Sequence, residues 1–246
     1  MEILNYPLLF GVGVLSAFMN VLAGGGSIIS MPILIFLGLD GAMANGTNRL
    51  AICSQNIFAI FSFHGEEKYD LRSALFYSAW TLPGAIVGAF FAVNIKDQLF
   101  HKVLAVVMIA VMLTVLLPPA RDPKELGARK SWLIYPALLG IGFYGGFIQA
   151  GVGFLIMAAF THILRFRLVK VNMVKVFIVF IYTIPALLIF ILSGRIQYTY
   201  AIALAAGNAL GGWWSAKLAI VKGEKFIRLV LVLVVIAMSV KLLGLI

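Results

Sequence analysis

The residues best equipped for chemistry in this chain are polar and small groups set in apolar sequence. Gly24-Gly25-Gly26-Ser27 interrupts the first apolar run, and Gly151-Val152-Gly153 interrupts another 127 residues later. A helix broken at such a point exposes backbone N–H groups, and the half-helix that restarts there attracts an anion to its N-terminus. Residues 24–27 and 151–154 would each open a half-helix, with Ser27 adding a hydroxyl donor that Phe154 lacks. Asn45, Thr47, Asn48 and Arg49 gather at the start of the third apolar segment, and Asn172 and Lys175 hold the corresponding region farther on. Arg49 offers a planar fork of donors suited to an oxyanion, whereas Lys175 offers a compact point charge. Structural roles compete with these. The glycines can serve close helix packing, the two cations can snorkel to an interface, and Asn45 and Asn172 can bond the helix breaks instead of a ligand.

The elements that must hold these groups are membrane helices. The chain of 246 residues is 63% hydrophobic and 11% charged, with a mean hydropathy of +1.07. A soluble domain is about 45–50% apolar and about 25% charged. Apolar runs such as 57–63, 104–117 and 229–240 leave the lipid bilayer as the surroundings, and no polar stretch is long enough for a soluble domain. The net charge of +10 fits the excess of Lys and Arg in cytoplasmic loops. Nucleic acid is not expected as a partner, because there is no compact basic domain. Cys53 stands alone, no Cys/His metal spacing occurs, and neither a metal nor a cofactor is expected. Residues 1–7 carry no Lys or Arg, so the first run reads as a retained membrane segment and not as a signal peptide.

The chain reads as two halves. Sliding it on itself by 127 residues gives a series of gapless identities over residues 13–63. Gly13 meets Gly140, Ala23 meets Ala150, Gly24 meets Gly151, Gly26 meets Gly153 and Asn45 meets Asn172. The expected organisation is a first membrane repeat at 1–117, a cytoplasmic linker at 118–132 and a second repeat at 133–246. Each half holds five apolar segments, at 8–23, 27–38, 45–63, 72–93 and 99–117, then at 133–150, 153–164, 171–192, 197–217 and 225–245. A full crossing needs about 20 helical residues, so 27–38 and 153–164 read as the second arms of glycine-tipped hairpins. The fold class is thus all-α and polytopic, each half a broken hairpin plus three transmembrane helices.

Counting each hairpin as two passes or none gives each half an odd number of crossings and makes the halves an inverted repeat. Thirteen cations then fall on one side and four on the other (Lys96, Lys102, Arg195 and Lys241). That asymmetry obeys the positive-inside rule and puts both termini outside the cytoplasm. Paired breaks at matching places in two repeats point to a transporter's binding site.

The run 23–32, from Ala23 through Gly24-Gly25-Gly26-Ser27 to Pro32, followed by Ala44-Asn45-Gly46-Thr47-Asn48, resembles the TauE/SafE family of sulfite and anion exporters. Gly151-Val152-Gly153 and Pro185 are similar to that family's second half. Val171-Asn172-Met173-Val174-Lys175 departs from its usual form of a small residue followed by Thr-Ser. The resemblance covers essentially the whole chain. It implies an inner-membrane protein that exports small sulfur-containing or organic anions such as sulfite, sulfoacetate or related sulfonates. The substrate-binding candidates are Gly24, Gly25, Gly26, Ser27, Asn45, Thr47, Asn48, Arg49, Gly151, Gly153, Asn172 and Lys175.

Gln55, Asn56, Gln149, Tyr182 and Asn208 are further polar residues in apolar runs, and interhelical hydrogen bonds explain them as well as ligand contact does. Trp132, Trp213 and Trp214 read as interface anchors. Asp and Glu occur only at segment ends or in loops, which leaves no buried carboxylate relay. Neither H-E-x-x-H nor G-x-S-x-G occurs, so catalysis is not expected. An importer of another organic anion, a membrane-embedded enzyme and an assembly factor are the alternatives. The sequence leaves the oligomeric state open.

Overall fold

The computed structural model describes residues 2–63, 71–116 and 131–242. Among them every regular element is helical: α1 Glu2–Leu22, α2 Ser27–Phe36, α3 Gly41–Phe63, α4 Leu71–Asn94, α5 Asp97–Leu116, α6 Ile134–Phe147, α7 Val152–His162, α8 Leu168–Leu192 and α9 Tyr198–Leu242, with a single 3-10 turn at Ser131–Leu133 before α6. Most of the expected linker at 118–132 lies outside the described residues.

Burial is arranged for a lipid surrounding. Phe36, Phe61, Phe90, Phe91 and Leu192 are exposed, whereas Asn45, Thr47, Asn48, Arg49, Asn172, Thr183 and Asn208 are buried. Trp132, Trp213 and Trp214 also lie exposed, as aromatic interface anchors do. Among the described residues, three helices are long and apolar enough to cross a membrane: Leu4–Leu22, Leu71–Asn94 and Leu168–Leu192. Polar residues inside such a bundle face one another or a cavity because lipid cannot solvate them.

The helix pairings repeat. α1 packs on α9 as α6 packs on α4; α3 packs on α9 as α8 packs on α4; α3 and α8 meet each other at the centre. Glycine makes the closest of these contacts. Gly13 lies against the Leu204 carbonyl and Gly207 against that of Phe10, while Gly142 lies against the Thr81 carbonyl and Gly84 against that of Leu139. A methyl group at any of these four would overlap the facing backbone. Gly207→Ala and Gly84→Ala should therefore lower the unfolding temperature in detergent by several degrees, from an overpacking cost of roughly 1–3 kcal/mol. Gly11→Ala and Gly140→Ala, with no atom within 4 Å of the added methyl, should leave it unchanged or slightly higher.

Where a connection is expected at 218–224, the helix instead runs on: α9 is one element of 45 residues. That segment contains a single glycine and no proline. One glycine inside a helix costs only about 1 kcal/mol, and Lys and Glu are good helix formers. The second half thus has four helices among the described residues, with the last two expected segments fused.

Candidate functional site

The two expected breaks exist, and the helices before them end alike. At the first, the amides of Ala23 and Gly24 both donate to the Met19 carbonyl, at 2.8 and 3.1 Å, and α2 restarts at Ser27. At the second, the amides of Ile148 and Gln149 both donate to the Tyr144 carbonyl, at 3.0 and 3.3 Å, and α7 restarts at Val152. Gly24 turns through φ +94 and Gln149 through φ +66. Gln149 thus holds the place of Gly24 at the helix end, while Gly151, the partner of Gly24 in the gapless alignment, is left-handed too, at φ +73. A left-handed glutamine is uncommon and strained. It is held from both sides: its Nε2 donates to Thr183 Oγ1 at 3.1 Å, and the Tyr144 hydroxyl clamps the neighbouring Ala150 carbonyl.

The two tips meet. Gly24 lies directly on the backbone of Gly153, Gly25 against the Phe154 ring, and Gly26 against the Ser16 carbonyl. None of these contacts leaves room for a side chain. Among the described residues, the amides of Gly25, Gly26 and Ser27 have no carbonyl partner, and neither do those of Ala150, Gly151 and Gly153. These are the N–H groups that a restarting helix exposes. The N-termini of α2 and α7 converge at the contact between Gly24 and Gly153.

The helix ends that precede the breaks are capped crosswise. Lys175 of α8 donates to the carbonyls of Val21 and Asn20, at 2.7 and 3.1 Å, at the end of α1. Arg49 of α3 donates through Nη2 to the Gly146 carbonyl at the end of α6, and Asn45 Nδ2 donates to the next carbonyl, Phe147, at 2.6 Å. Each half thus supplies a cation to the negative end of the other half's broken helix, where a positive charge is favoured. Arg49 is 0% and Lys175 2% exposed, so neither snorkels to an interface. The Arg49 guanidinium also lies 4.8 Å from the centre of the Phe190 ring.

The caps differ in what they leave over. At the end of α6, Asn45 Oδ1, Arg49 Nε and Nη1, Gln149 Oε1 and the Tyr182 hydroxyl are buried without a hydrogen-bond partner among the described residues. Tyr182 belongs to this group because its ring packs over Gly145, beside the carbonyl that Arg49 holds. A buried polar group without a partner is costly, and five such atoms stand around residues 145–149. Only one of the five guanidinium N–H groups is used, so a complete two-donor edge stays free.

The other candidates divide. Asn48 Oδ1 accepts from Ser30 Oγ at 2.7 Å, leaving Nδ2 without a partner, and Ser16 extends this chain at 3.4 Å. Asn172 Oδ1 accepts from Lys175 at 2.9 Å and likewise leaves Nδ2 free. Thr47 turns away from the tips and accepts from the Gln197 amide at 3.0 Å, tying α3 to the start of α9. Gln55 accepts from Asn20 at 3.2 Å, an interhelical bond. Asn45 indeed bonds a helix break, and still presents its carbonyl oxygen. Gln149 and Tyr182, polar residues in apolar runs, join the group at the end of α6, and Ser30 is the addition that no sequence feature singled out.

The model of the family described as sulfite exporter TauE/SafE matches residues 9–242. The chain is 30% identical over 237 residues to a probable membrane transporter protein of Haemophilus influenzae, covering 96% of this chain and 93% of the relative. It is also 30% identical to the probable membrane transporter protein YfcA of Escherichia coli K12, covering 96% and 88%. A probable membrane transporter protein of Sinorhizobium, ORF9, is 26% identical over 96% of this chain and 91% of its own length. No solved structure matches. The chain is therefore a membrane transporter and belongs to the sulfite exporter TauE/SafE family.

Proposed function

We propose that this transporter exports small sulfur-containing or organic anions, such as sulfite, sulfoacetate or related sulfonates, across an inner-type membrane by alternating access of two inverted repeats. One observation carries the proposal. Arg49 is buried at the end of α6 with a free two-donor edge, and among the described residues the two restarting helices leave the amides of Gly25, Gly26, Ser27, Ala150, Gly151 and Gly153 without a carbonyl partner. Such an edge pairs with two oxygens of a sulfur or carbon oxyanion. The Nδ2 groups of Asn48 and Asn172 add neutral donors. The free acceptors Asn45 Oδ1 and Gln149 Oε1 favour an anion that also carries a hydrogen-bond donor, such as hydrogensulfite.

The exchange of pairings between α1, α3, α4 and α6, α8, α9 supports a repeat. The crossed caps supply contacts that rock together when one half moves against the other. An inside-negative potential drives an anion outward by about 2.3 kcal/mol per charge per 100 mV, which is sufficient without a carboxylate relay.

The test is thermal unfolding of the purified protein with sulfite, sulfate, thiosulfate, sulfoacetate, taurine and simple carboxylates. A ligand that binds only the folded state raises the midpoint. A shift selective for a sulfur oxyanion, lost in Arg49→Met, is the expected result. A shift with carboxylates alone would move the substrate class to another organic anion.

A further inference from the structure

The two caps are chemically unequal, and the difference lies at Lys175. An ammonium has three N–H groups and accepts nothing. Three oxygens surround this one: Val21 O at 2.7 Å, Asn172 Oδ1 at 2.9 Å and Asn20 O at 3.1 Å. Met157 Sδ lies beyond them at 3.7 Å. Every N–H is taken, and Lys175 is absent from the unpartnered groups that Arg49 joins.

The same bond decides how Asn172 points. Only the carbonyl oxygen of an amide can face an ammonium, so Oδ1 must turn toward Lys175 and Nδ2 must turn away. Nδ2 is buried there with no partner. Asn45 holds the matching place 127 residues earlier and is fixed the opposite way. The Phe147 carbonyl can only accept, so Nδ2 faces it and Oδ1 is left over. One asparagine of the pair offers an acceptor and the other a donor.

We infer that Lys175 is a positioning residue: it closes the broken end of α1 and commits the Asn172 amide to present its NH2 group, while the anion's charge is met by Arg49 at the end of α6. The part concerning the anion rests on the function proposed above; the part concerning α1 and Asn172 does not.

The experiment has two readouts. The first is the unfolding midpoint of ligand-free protein for wild type, Lys175→Met, Lys175→Gln and Lys175→Arg. Losing three buried, charge-assisted bonds should lower the midpoint by on the order of 5 °C or more in Lys175→Met, with Lys175→Arg recovering part of it. Lys175→Gln and Lys175→Arg keep the comparison available if Lys175→Met does not accumulate. A residue kept for binding alone would behave otherwise, because removing an idle buried charge leaves stability unchanged or raises it. An unchanged or raised midpoint overturns the inference.

The second readout is the sulfite dissociation constant in Lys175→Met, Asn172→Ala and the double variant. If Lys175 acts through Asn172, the double variant binds no more weakly than Asn172→Ala alone. Multiplying fold-losses would mean that Lys175 meets the anion itself, and would overturn the inference. A wild type that ignores sulfite while Lys175→Met still loses stability would remove the substrate proposal and leave the positioning role standing.

Discussion

Sulfite efflux should fall by roughly 100-fold or more when Arg49 is replaced by methionine, because truncating one partner of a buried, hydrogen-bonded charge pair costs about 2–5 kcal/mol. Arg49 holds the Gly146 carbonyl with one N–H, and its Nε and Nη1 have no partner among the described residues. Methionine fills much of the volume and removes the whole donor set. Arg49→Lys restores the charge without the planar fork, and an ammonium is more strongly hydrated than a guanidinium. Lysine should recover no more than about a tenth of the lost transport, since a bidentate site is lost with the fork. Initial rates in proteoliposomes, normalised to correctly folded protein, check both. Transport by Arg49→Met within a few-fold of wild type would remove Arg49 from the site.

The second large effect is on the backbone. Gly24→Ala should prevent accumulation of folded protein or lower its unfolding midpoint by on the order of 10 °C, since both strain and overlap act there. Gly38 is the internal control. It has the same φ of +94 as Gly24 but no atom within 4 Å of an added methyl, whereas at Gly24 the methyl meets the Gly153 backbone. Gly38→Ala should therefore cost about 1 kcal/mol, the conformational term alone. Gly153→Ala isolates the other term, because its φ is not positive while its methyl would overlap Gly24. Midpoints in the order Gly38→Ala, Gly153→Ala, Gly24→Ala, from highest to lowest, are the expected result. Equal midpoints for Gly24→Ala and Gly38→Ala would show that the tips do not touch.

Much of this was legible in the residues because membranes make polar and glycine positions conspicuous. The breaks after Leu22 and Phe147 follow from glycine clusters in apolar runs. The short second arms follow from length, and α2 and α7 fall within two residues of the expected bounds. Asn45, Arg49, Asn172 and Lys175 stood out because an ionisable or amide group in hydrocarbon needs a reason.

Other features were hidden for identifiable reasons. Gln149 takes the left-handed turn that Gly24 takes in the first half, but glutamine gives no warning of a positive φ. The second break holds two left-handed residues, Gln149 and Gly151, and only Gly151 is signalled by a glycine. The saturation of Lys175 was invisible because two of its three oxygen partners are backbone carbonyls of α1, more than 150 residues away. Thr47 shares a helix with Asn48 and Arg49 but points at the Gln197 amide, a direction that sequence proximity does not reveal. The fusion of the last two segments into α9 was hidden because Lys222, Gly223 and Glu224 interrupt the apolar sequence there. Helical propensity in that stretch outweighs the interruption.

The most direct measurement of the central claim is sulfite efflux from proteoliposomes under an imposed membrane potential, for wild type and Arg49→Met side by side. The account predicts efflux that speeds up when the sulfite-containing side is made negative, with sulfite chemically unchanged and with Arg49→Met near the rate of empty vesicles. Wild-type efflux no faster than empty vesicles at either polarity would contradict it.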